Sequence, residues 1–196
     1  MGDISNSILA ELCEAAGPGG AVTDPQQLEP FLTEWRGLYR GSTPVLLRPA
    51  DTAGVARVIR TCARERIGVV PPGGNTGLVG GATPDSTPAR PQELLSAARL
   101  RRVREMDRAN DTLTAEAGCL LADLQAAAAE AGRLFPLSLA SEGSCQLGGN
   151  ISTNAGGTAV LRYGNTRDLV LGREGVLADG HVLDVLRSLR KDNTGY

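Results

Sequence analysis

The sequence predicts an α+β or mixed α/β protein built as two small lobes, and three observations support that prediction. Short apolar runs alternate with amphipathic stretches along the first half of the chain, which indicates strands interleaved with helices. A glycine-rich loop at 71–81 follows one predicted strand, and a second glycine-rich segment covers 141–157. Two late apolar runs flank Asp179-Gly180, which is typical of a β-hairpin.

Two helices and a strand are predicted in the first fifty residues. The helix through 5–17 should end at Gly17, and a second helix should begin with Asp24 as its N-cap and Pro25 as its first residue. We assign residues 1–40 to an N-terminal helical segment and 41–196 to the main domain. The apolar run at 44–49, which lies between prolines, suits a buried strand.

The best-marked helix covers residues 50–68. Asp51 can cap its N-terminus, and Gly68 is expected to end it. Its apolar face is formed by residues at helical spacing, namely Val55, Val58, Ile59 and Cys62. A short strand ending in Pro71-Pro72 should follow and lead directly into the first glycine loop.

In the second half of the chain, the sequence predicts a surface connection, a strand, a helix and a hairpin. The proline-rich residues 83–93 indicate a surface connection, and the alternation at 111–118 indicates a strand. A helix should then run from 120 to its stop at Gly132, and its buried face is predicted to contain Leu120, Leu124, Ala127 and Ala131. The hairpin should turn at Asp179-Gly180 in a type I′ conformation.

The overall composition limits the classes of partner. The chain has 196 residues, of which 41% are hydrophobic and 21% charged, and its formal net charge is −2. This balance argues against nucleic acid as a partner. No apolar run approaches the roughly 20 residues of a membrane-spanning helix, so no membrane span is expected.

Cysteine and histidine usage predicts neither disulfides nor a metal site in this chain. There is one histidine, His181, and no CxxC pair among the four cysteines, which are Cys13, Cys62, Cys119 and Cys145. The first 17 residues contain no basic region typical of a signal or transit peptide. We therefore expect a reduced, cytoplasmic protein.

The loop at 71–81 contains five glycines and two prolines and carries no charge. Glycine in regular structure costs roughly 0.5–1 kcal/mol relative to alanine. This cluster therefore indicates either a backbone with φ > 0 or an approach closer than a β-carbon would permit. Successive N–H groups without side chains can surround phosphate oxygens, and Asn75 and Thr76 would add donors. The alternative is an elaborate turn. The loop has neither the lysine of a P-loop nor the glycine spacing of a Rossmann fingerprint.

The second glycine segment strengthens the case for a ligand. Between the glycine pairs at 148–149 and 156–157 lie four uncharged hydrogen-bonding residues, which are Asn150, Ser152, Thr153 and Asn154. Neutral donors combined with an unobstructed backbone suit a large, polar ligand. Because the net charge gives no general attraction for an anion, a diphosphate would depend on such local donors.

Five ordered stretches carry a family resemblance, at 71–82, 141–157, 162–172, 176–180 and 188–196. The chain resembles the FAD-binding domain of vanillyl-alcohol-oxidase (PCMH-type) flavoenzymes. Within these it is most similar to the D-2-hydroxyacid dehydrogenases, nearest the D-2-hydroxyglutarate dehydrogenase branch. D-lactate dehydrogenase and the FAD subunit of glycolate oxidase share the resemblance. The implied fold is two α+β lobes with FAD between them.

The resemblance implies a set of cofactor-binding residues. Residues 73–77 would wrap the FAD pyrophosphate, the second segment would line the ribityl chain and flavin ring, and the hairpin entrance would contact the adenosine end. The full set is Pro72, Gly73, Gly74, Asn75, Thr76, Gly77, Leu78, Gly143, Ser144, Gly148, Gly149, Asn150, Ser152, Thr153, Asn154, Gly157, Gly175 and Val176. The flavin is expected to be non-covalent, because the glycine segments contain no histidine and Cys145 is better explained as a small buried residue.

The resemblance also implies a function and its limits. The FAD-binding domain, 41–196, would be an incomplete N-terminal part of an enzyme that oxidises a D-2-hydroxy acid to the 2-oxo acid. A base would take the hydroxyl proton while hydride passes to the flavin. In such enzymes a cap domain holds the substrate arginine, the catalytic base and histidines for a divalent metal. No catalytic residue is therefore expected in this chain, and the fragment alone should be inactive.

Other properties stay open at this stage. The resemblance is compatible with a homodimer of the full-length protein and leaves the electron acceptor undefined. One alternative is a flavin reductase of the cell-wall precursor type, which would share the same FAD lobe. The other is a flavin-binding module without catalytic activity.

Overall fold

The computed structural model describes residues 4–86 and 90–186, in which helices and strands alternate from the N-terminus. The matching stretch at 188–196 lies outside the described residues. The helices are α1 (Asn6–Ala16), α2 (Pro25–Leu32), α3 (Thr52–Glu65), α4 (Leu121–Glu130), α5 (Leu147–Thr153) and α6 (Val160–Tyr163), with a 3-10 helix at Thr166–Leu169. The strands are β1 (Ala21–Val22), β2 (Leu46–Leu47), β3 (Gly68–Val70), β4 (Gln92–Leu95), β5 (Val103–Asp107), β6 (Thr112–Ala115), β7 (Arg173–Val176) and β8 (Val182–Val185).

A four-stranded sheet in the order β1-β2-β4-β3 forms the first lobe. Strand β4 is parallel to both of its neighbours, whereas β1 is antiparallel to β2. Helices α1 and α3 pack on this sheet around a core that contains Leu12, Leu47 and Val58. Because β1 belongs to the first forty residues, that segment shares the sheet of the part that follows it. The domain boundary at residue 40 stays a prediction.

Strand β4 corrects one sequence-based prediction. Residues 83–93 were expected to form a surface connection, but Gln92 and Glu93 belong to the central pair of strands, and Leu94 is fully buried. Strand β4 is hydrogen-bonded on both edges, where Leu94 N–H donates to the Val45 carbonyl and Gly68 N–H donates to the Pro91 carbonyl. Pro91, immediately before the strand, disguised its start because proline is normally read as a break.

The predicted helices of the first lobe are confirmed, together with the caps at Gly17, Asp24 and Asp51. Gly17 ends α1 with φ +77°, and the Asp24 side chain accepts a hydrogen bond from the Gln26 N–H at the start of α2. The Asp51 carboxylate accepts from the Gly54 N–H, at 2.6 Å. The end of α3 differs from the prediction, since Arg66 takes the left-handed conformation there and Gly68 begins β3.

The second lobe is built from two hairpins and the helices between them. Leu121 of helix α4 packs against Leu137 and Cys145. The buried face of this helix contains Leu121, Leu124 and Ala128. Leu121 and Ala128 take the places predicted for Leu120 and Ala127, one residue earlier. The shift follows from the helix start, because Leu120 is the extended N-cap residue rather than part of the first turn.

The β7–β8 hairpin is confirmed, but its turn is not type I′. Gly180 has φ +80°, whereas Asp179 is not among the residues of positive φ, and type I′ requires both. Gly180 N–H donates to the Leu177 carbonyl, and Leu177 N–H donates to the His181 carbonyl. The connection is therefore a three-residue loop that ends in a left-handed glycine, the second common solution for hairpins.

A series of polar contacts in the second lobe ends in a hydrogen bond to α3 of the first lobe. The buried Glu116 carboxylate accepts from Arg102 at 2.8 Å and lies 3.5 Å from Arg104. Burial alone would raise the pKa of Glu116, but its bonds to Arg102 outweigh burial and hold the pKa below its ordinary value. Arg104 also pairs with Glu174 on β7, which accepts from the Thr52 hydroxyl of α3.

No helix in residues 4–86 and 90–186 has the length and apolar character needed to cross a membrane.

Candidate cofactor site

The structure brings the two glycine-rich segments into direct contact. Gly74 lies against the carbonyl of Ser144, and a β-carbon on Gly73 would be 3.8 Å from the Cα of Gly149. The first loop leaves β3 in the first lobe, while the turn before α5 and the start of α5 belong to the second. The site predicted from two separate segments of sequence is therefore one surface at the junction of the lobes.

The first loop presents an uninterrupted run of free backbone donors. Within the described residues, none of the N–H groups from Gly73 to Leu78 donates a hydrogen bond. The loop is partly exposed from Gly73 to Thr76 and exposed at Gly77 and Leu78, so its donors are open to solvent or to a ligand. Six successive unpaired N–H groups on a glycine-rich backbone are chemically suited to the oxygens of an anion.

Apart from Gly73, the predicted glycines separate into two groups by what surrounds them. A β-carbon on Gly74 would overlap the Ser144 carbonyl, and one on Gly157 would overlap the Ser138 carbonyl. A β-carbon on Gly148 would lie 2.9 Å from the Ala117 β-carbon. These three glycines serve close packing of protein against protein. A β-carbon would meet no atom within 4 Å at the other group, which comprises Gly77, Gly143, Gly149 and Gly175.

Asn75 differs from the donor proposed on the sequence, whereas the role of Thr76 stays a prediction. The Asn75 side-chain amide donates to the carbonyls of Pro30 at 2.8 Å and Thr33 at 3.4 Å, so it fastens the loop to the end of α2. Asn75 also takes φ +52°, a left-handed conformation that asparagine tolerates. Thr76 is partly exposed, and Pro72 near the start of the loop is buried. The loop's donors are thus mainly backbone groups.

Helix α5 occupies seven residues of the second segment, 147–153, and the hydroxyl side chains of this helix bond to its own backbone. The Ser152 hydroxyl donates to the Gly148 carbonyl at 2.8 Å, and the Thr153 hydroxyl donates to the Gly149 carbonyl at 2.9 Å. The Asn150 amide is buried and donates to the Cys145 sulfur at 3.5 Å. These hydroxyls can exchange their bonds for a ligand because both residues are exposed.

The C-terminal end of α5 is capped by an arginine that the sequence reasoning left without a role. Arg167 donates to the carbonyls of Ile151 at 3.0 Å and Ser152 at 2.6 Å. Its backbone N–H donates to the side-chain oxygen of Asn154, which is left-handed at φ +52°. A cation is favourable at this end of a helix. No local signal marks Arg167, since it lies 13 residues from its Asn154 partner.

Gly175 and Val176 are placed apart from the other predicted residues by their contacts. Strand β7 packs on α3, and the hairpin is fastened there by Arg60, which donates to the Gly180 carbonyl at 3.0 Å. In the described part of the chain, no hydrogen bond or ion pair joins this hairpin to either glycine segment. A role for Gly175 and Val176 at the adenosine end therefore stays a prediction.

The described residues hold no cluster of metal ligands, and the histidine of the chain lies in the hairpin connection. No group of three or more His, Cys, Asp or Glu in residues 4–86 and 90–186 could hold a metal ion. His181 is exposed in the hairpin connection, where its backbone N–H donates to Asp179. The arrangement can therefore bind and orient a polar ligand through neutral donors.

The fold and this site together define a flavin-binding domain, and the chain belongs to the FAD binding domain family, which residues 43–186 match. Alkyldihydroxyacetonephosphate synthase has the same fold, with a TM-score of 0.83 at 19% identity over 94% of this chain and 35% of that one. The α+β fold of the vanillyl-alcohol-oxidase type and FAD as cofactor, both expected from the sequence, are confirmed.

Two relatives narrow the resemblance. The chain is 48% identical over 98% of its length to mitochondrial D-2-hydroxyglutarate dehydrogenase of Bos taurus, and it covers 35% of that protein. It is 42% identical over 88% of its length to a putative mitochondrial D-lactate dehydrogenase of Schizosaccharomyces pombe, and it covers 32% of that protein. The chain thus spans about a third of the length of the curated relatives it matches.

The relatives correct the expected location. Both of the proteins just described are named as mitochondrial, so the prediction of a cytoplasmic protein is wrong. That prediction depended in part on reduced cysteines, which do not distinguish the cytoplasm from another reducing compartment.

Proposed function

We propose that this chain is the FAD-binding part of a flavin-dependent D-2-hydroxyacid dehydrogenase, with D-2-hydroxyglutarate or D-lactate as the type of substrate. One observation carries the proposal, namely the run of free N–H groups from Gly73 to Leu78 in a loop that contacts the second glycine segment at Gly73 and Gly74. The names of the 48% and 42% identical relatives supply the substrate class.

The residues present fit the cofactor. A pyrophosphate carries negative charge and several acceptor oxygens, and an N–H nest offers matching donors. The glycines without nearby atoms, Gly77, Gly143 and Gly149, leave room for a ligand to approach the backbone. Residues 73–77 would hold the pyrophosphate. The exposed Ser152 and Thr153 of α5 would meet the ribityl and flavin part.

The division of work between cofactor and protein follows from the chemistry of the site. Bound FAD would accept the hydride from C2 of the hydroxy acid. The described residues of this chain would bind and orient the cofactor and shield it from water. The resemblance assigns removal of the substrate's hydroxyl proton to a base in a cap domain outside this chain.

Cofactor binding and substrate oxidation can be tested separately. The protein, produced in the full length its gene encodes, should purify yellow or take up FAD, and D-2-hydroxyglutarate or D-lactate should bleach its flavin absorbance without oxygen. Absence of FAD binding would contradict the cofactor assignment. FAD binding without bleaching by either acid, or by glycolate, would contradict the substrate class and favour a different flavin reaction.

A further inference from the structure

Residues 30–40, named the bracket below, lie against the first glycine loop and are fastened to it at three points. The Asn75 amide donates to the carbonyls of Pro30 and Thr33. The Arg36 guanidinium donates to the carbonyl of Leu78. The Tyr39 ring covers Gly80, where a β-carbon would lie 2.9 Å from the ring's Cγ.

The bracket is itself ordered by a buried carboxylate. Glu34 is 3% exposed, and its side chain accepts the N–H groups of Arg36 at 2.7 Å and Leu38 at 3.0 Å. The hydrogen bond from the Arg36 N–H is the largest cause that lowers the pKa of Glu34, so the carboxylate stays ionised. Glu34 N–H donates to the Tyr39 carbonyl, which closes the turn.

These contacts leave the loop's donors free. Each fastening uses a loop side chain, a loop carbonyl or the face of a glycine, and none uses an N–H group from Gly73 to Leu78. The attachment points, at residues 75, 78 and 80, lie within and just after that run. The bracket thus restrains a glycine-rich backbone without competing for its hydrogen bonds.

We propose that the bracket is a positioning element for the pyrophosphate of FAD, which orders loop 73–78 before the cofactor arrives. This rests on the proposed cofactor function and extends it to residues that precede the part matched by the family, 43–186. A glycine-rich loop loses much conformational freedom when it binds. A loop already held in its donating conformation binds more tightly, because the apparent Kd rises as the competent fraction falls.

Arg36→Ala and Asn75→Gly test the inference. Asn75→Gly keeps the left-handed backbone accessible while removing the amide. The matched control is Arg99→Ala, since Arg99 is also an exposed arginine that donates to two carbonyls, those of Pro18 and Arg48, but does not bond to the loop. We expect both test variants to raise the Kd for FAD about tenfold, and the control to leave it unchanged.

Three further readouts distinguish positioning from general support. ADP, which carries the pyrophosphate without the flavin, should lose a similar factor when it competes with FAD. The melting temperatures of the apo variants should stay within the range of the control, and Arg36→Lys should recover part of the affinity. Unchanged Kd values in both test variants would overturn the inference, as would an equal loss in Arg99→Ala. Absence of FAD binding by the parent chain would instead overturn the proposed function.

Discussion

The Cα of Gly74 faces the carbonyl oxygen of Ser144 so closely that a β-carbon on Gly74 would overlap that oxygen. This contact joins the first glycine loop to the second. Gly74 is therefore needed for the approach of one protein segment to another, whereas the family resemblance placed it among the residues that would wrap the FAD pyrophosphate. Gly77, three residues later, has open space where its β-carbon would point.

Alanine at these two glycines should produce different defects. We expect Gly74→Ala to lower the free energy of unfolding by roughly 1–3 kcal/mol, because the two segments must separate. Gly77→Ala should leave the melting temperature unchanged and weaken FAD binding, because its methyl group projects toward the ligand side. Thermal unfolding and FAD titration of both variants measure this. A stable Gly74→Ala protein with intact FAD affinity would contradict the packing role.

Removal of Arg167 should loosen α5. Arg167→Ala deletes the two hydrogen bonds to the Ile151 and Ser152 carbonyls, which we expect to cost about 1–2 kcal/mol of local stability. Hydrogen exchange of amides 150–154 should accelerate by roughly 5–30-fold. Arg101→Ala, at another exposed arginine, is the control. Equal exchange rates in the two variants would show that the cap does not stabilise α5.

The stability of the first lobe should depend on pH through Glu93. This carboxyl on β4 is fully buried, accepts from the Cys62 thiol at 2.9 Å, and has a second oxygen without a partner. Burial raises its pKa to about 7 from an ordinary value of 4.5. Between these two values the unfolded chain releases a proton that the folded chain retains, so stability falls as pH rises and levels off above about pH 7.

Glu93→Gln should remove that loss. The shift corresponds to a penalty on the order of 3 kcal/mol above neutral pH. The variant should therefore melt roughly 6–12 °C higher than the parent at about pH 8, whereas at about pH 4 the two proteins should melt at nearly the same temperature. Glu130→Gln, at an exposed glutamate, should keep the parent's pH dependence. If the Glu93→Gln and parent proteins keep the same difference in melting temperature at both pH values, Glu93 does not titrate in this range.

The sequence predicted the two glycine segments and most helices, because glycine clusters, caps and apolar spacing are local signals, and only the family resemblance implied that the two segments share a ligand. It missed α5, since a seven-residue helix containing Gly148 and Gly149 has poor intrinsic helix propensity. It missed β4 because Pro91 disguised its start. The roles of Asn75 and Arg167 depend on partners 13 to 45 residues away, and such pairings are fixed by tertiary packing that no local pattern encodes.

The flavin is expected to be released by acid. Cys145 is 3% exposed, accepts a hydrogen bond from Asn150 and packs against Leu121 and Leu137, so its sulfur is not open to a flavin ring. Precipitation of the FAD-loaded protein with acid should leave the yellow colour in the supernatant. Colour retained in the washed pellet would contradict non-covalent binding, and a Cys145→Ala variant would then show whether this thiol is the point of attachment.

The central claim is that backbone N–H groups 73–78 bind the pyrophosphate of FAD, and amide NMR of the labelled chain during titration tests it most directly. FAD and ADP should both shift the Gly73–Leu78 amide signals to saturation, since both carry the pyrophosphate, while riboflavin should leave them in place. The amide of Leu12, which lies in α1 and in the core of the first lobe, serves as an internal reference. Saturable FAD binding that leaves all six loop amides unshifted would contradict the account.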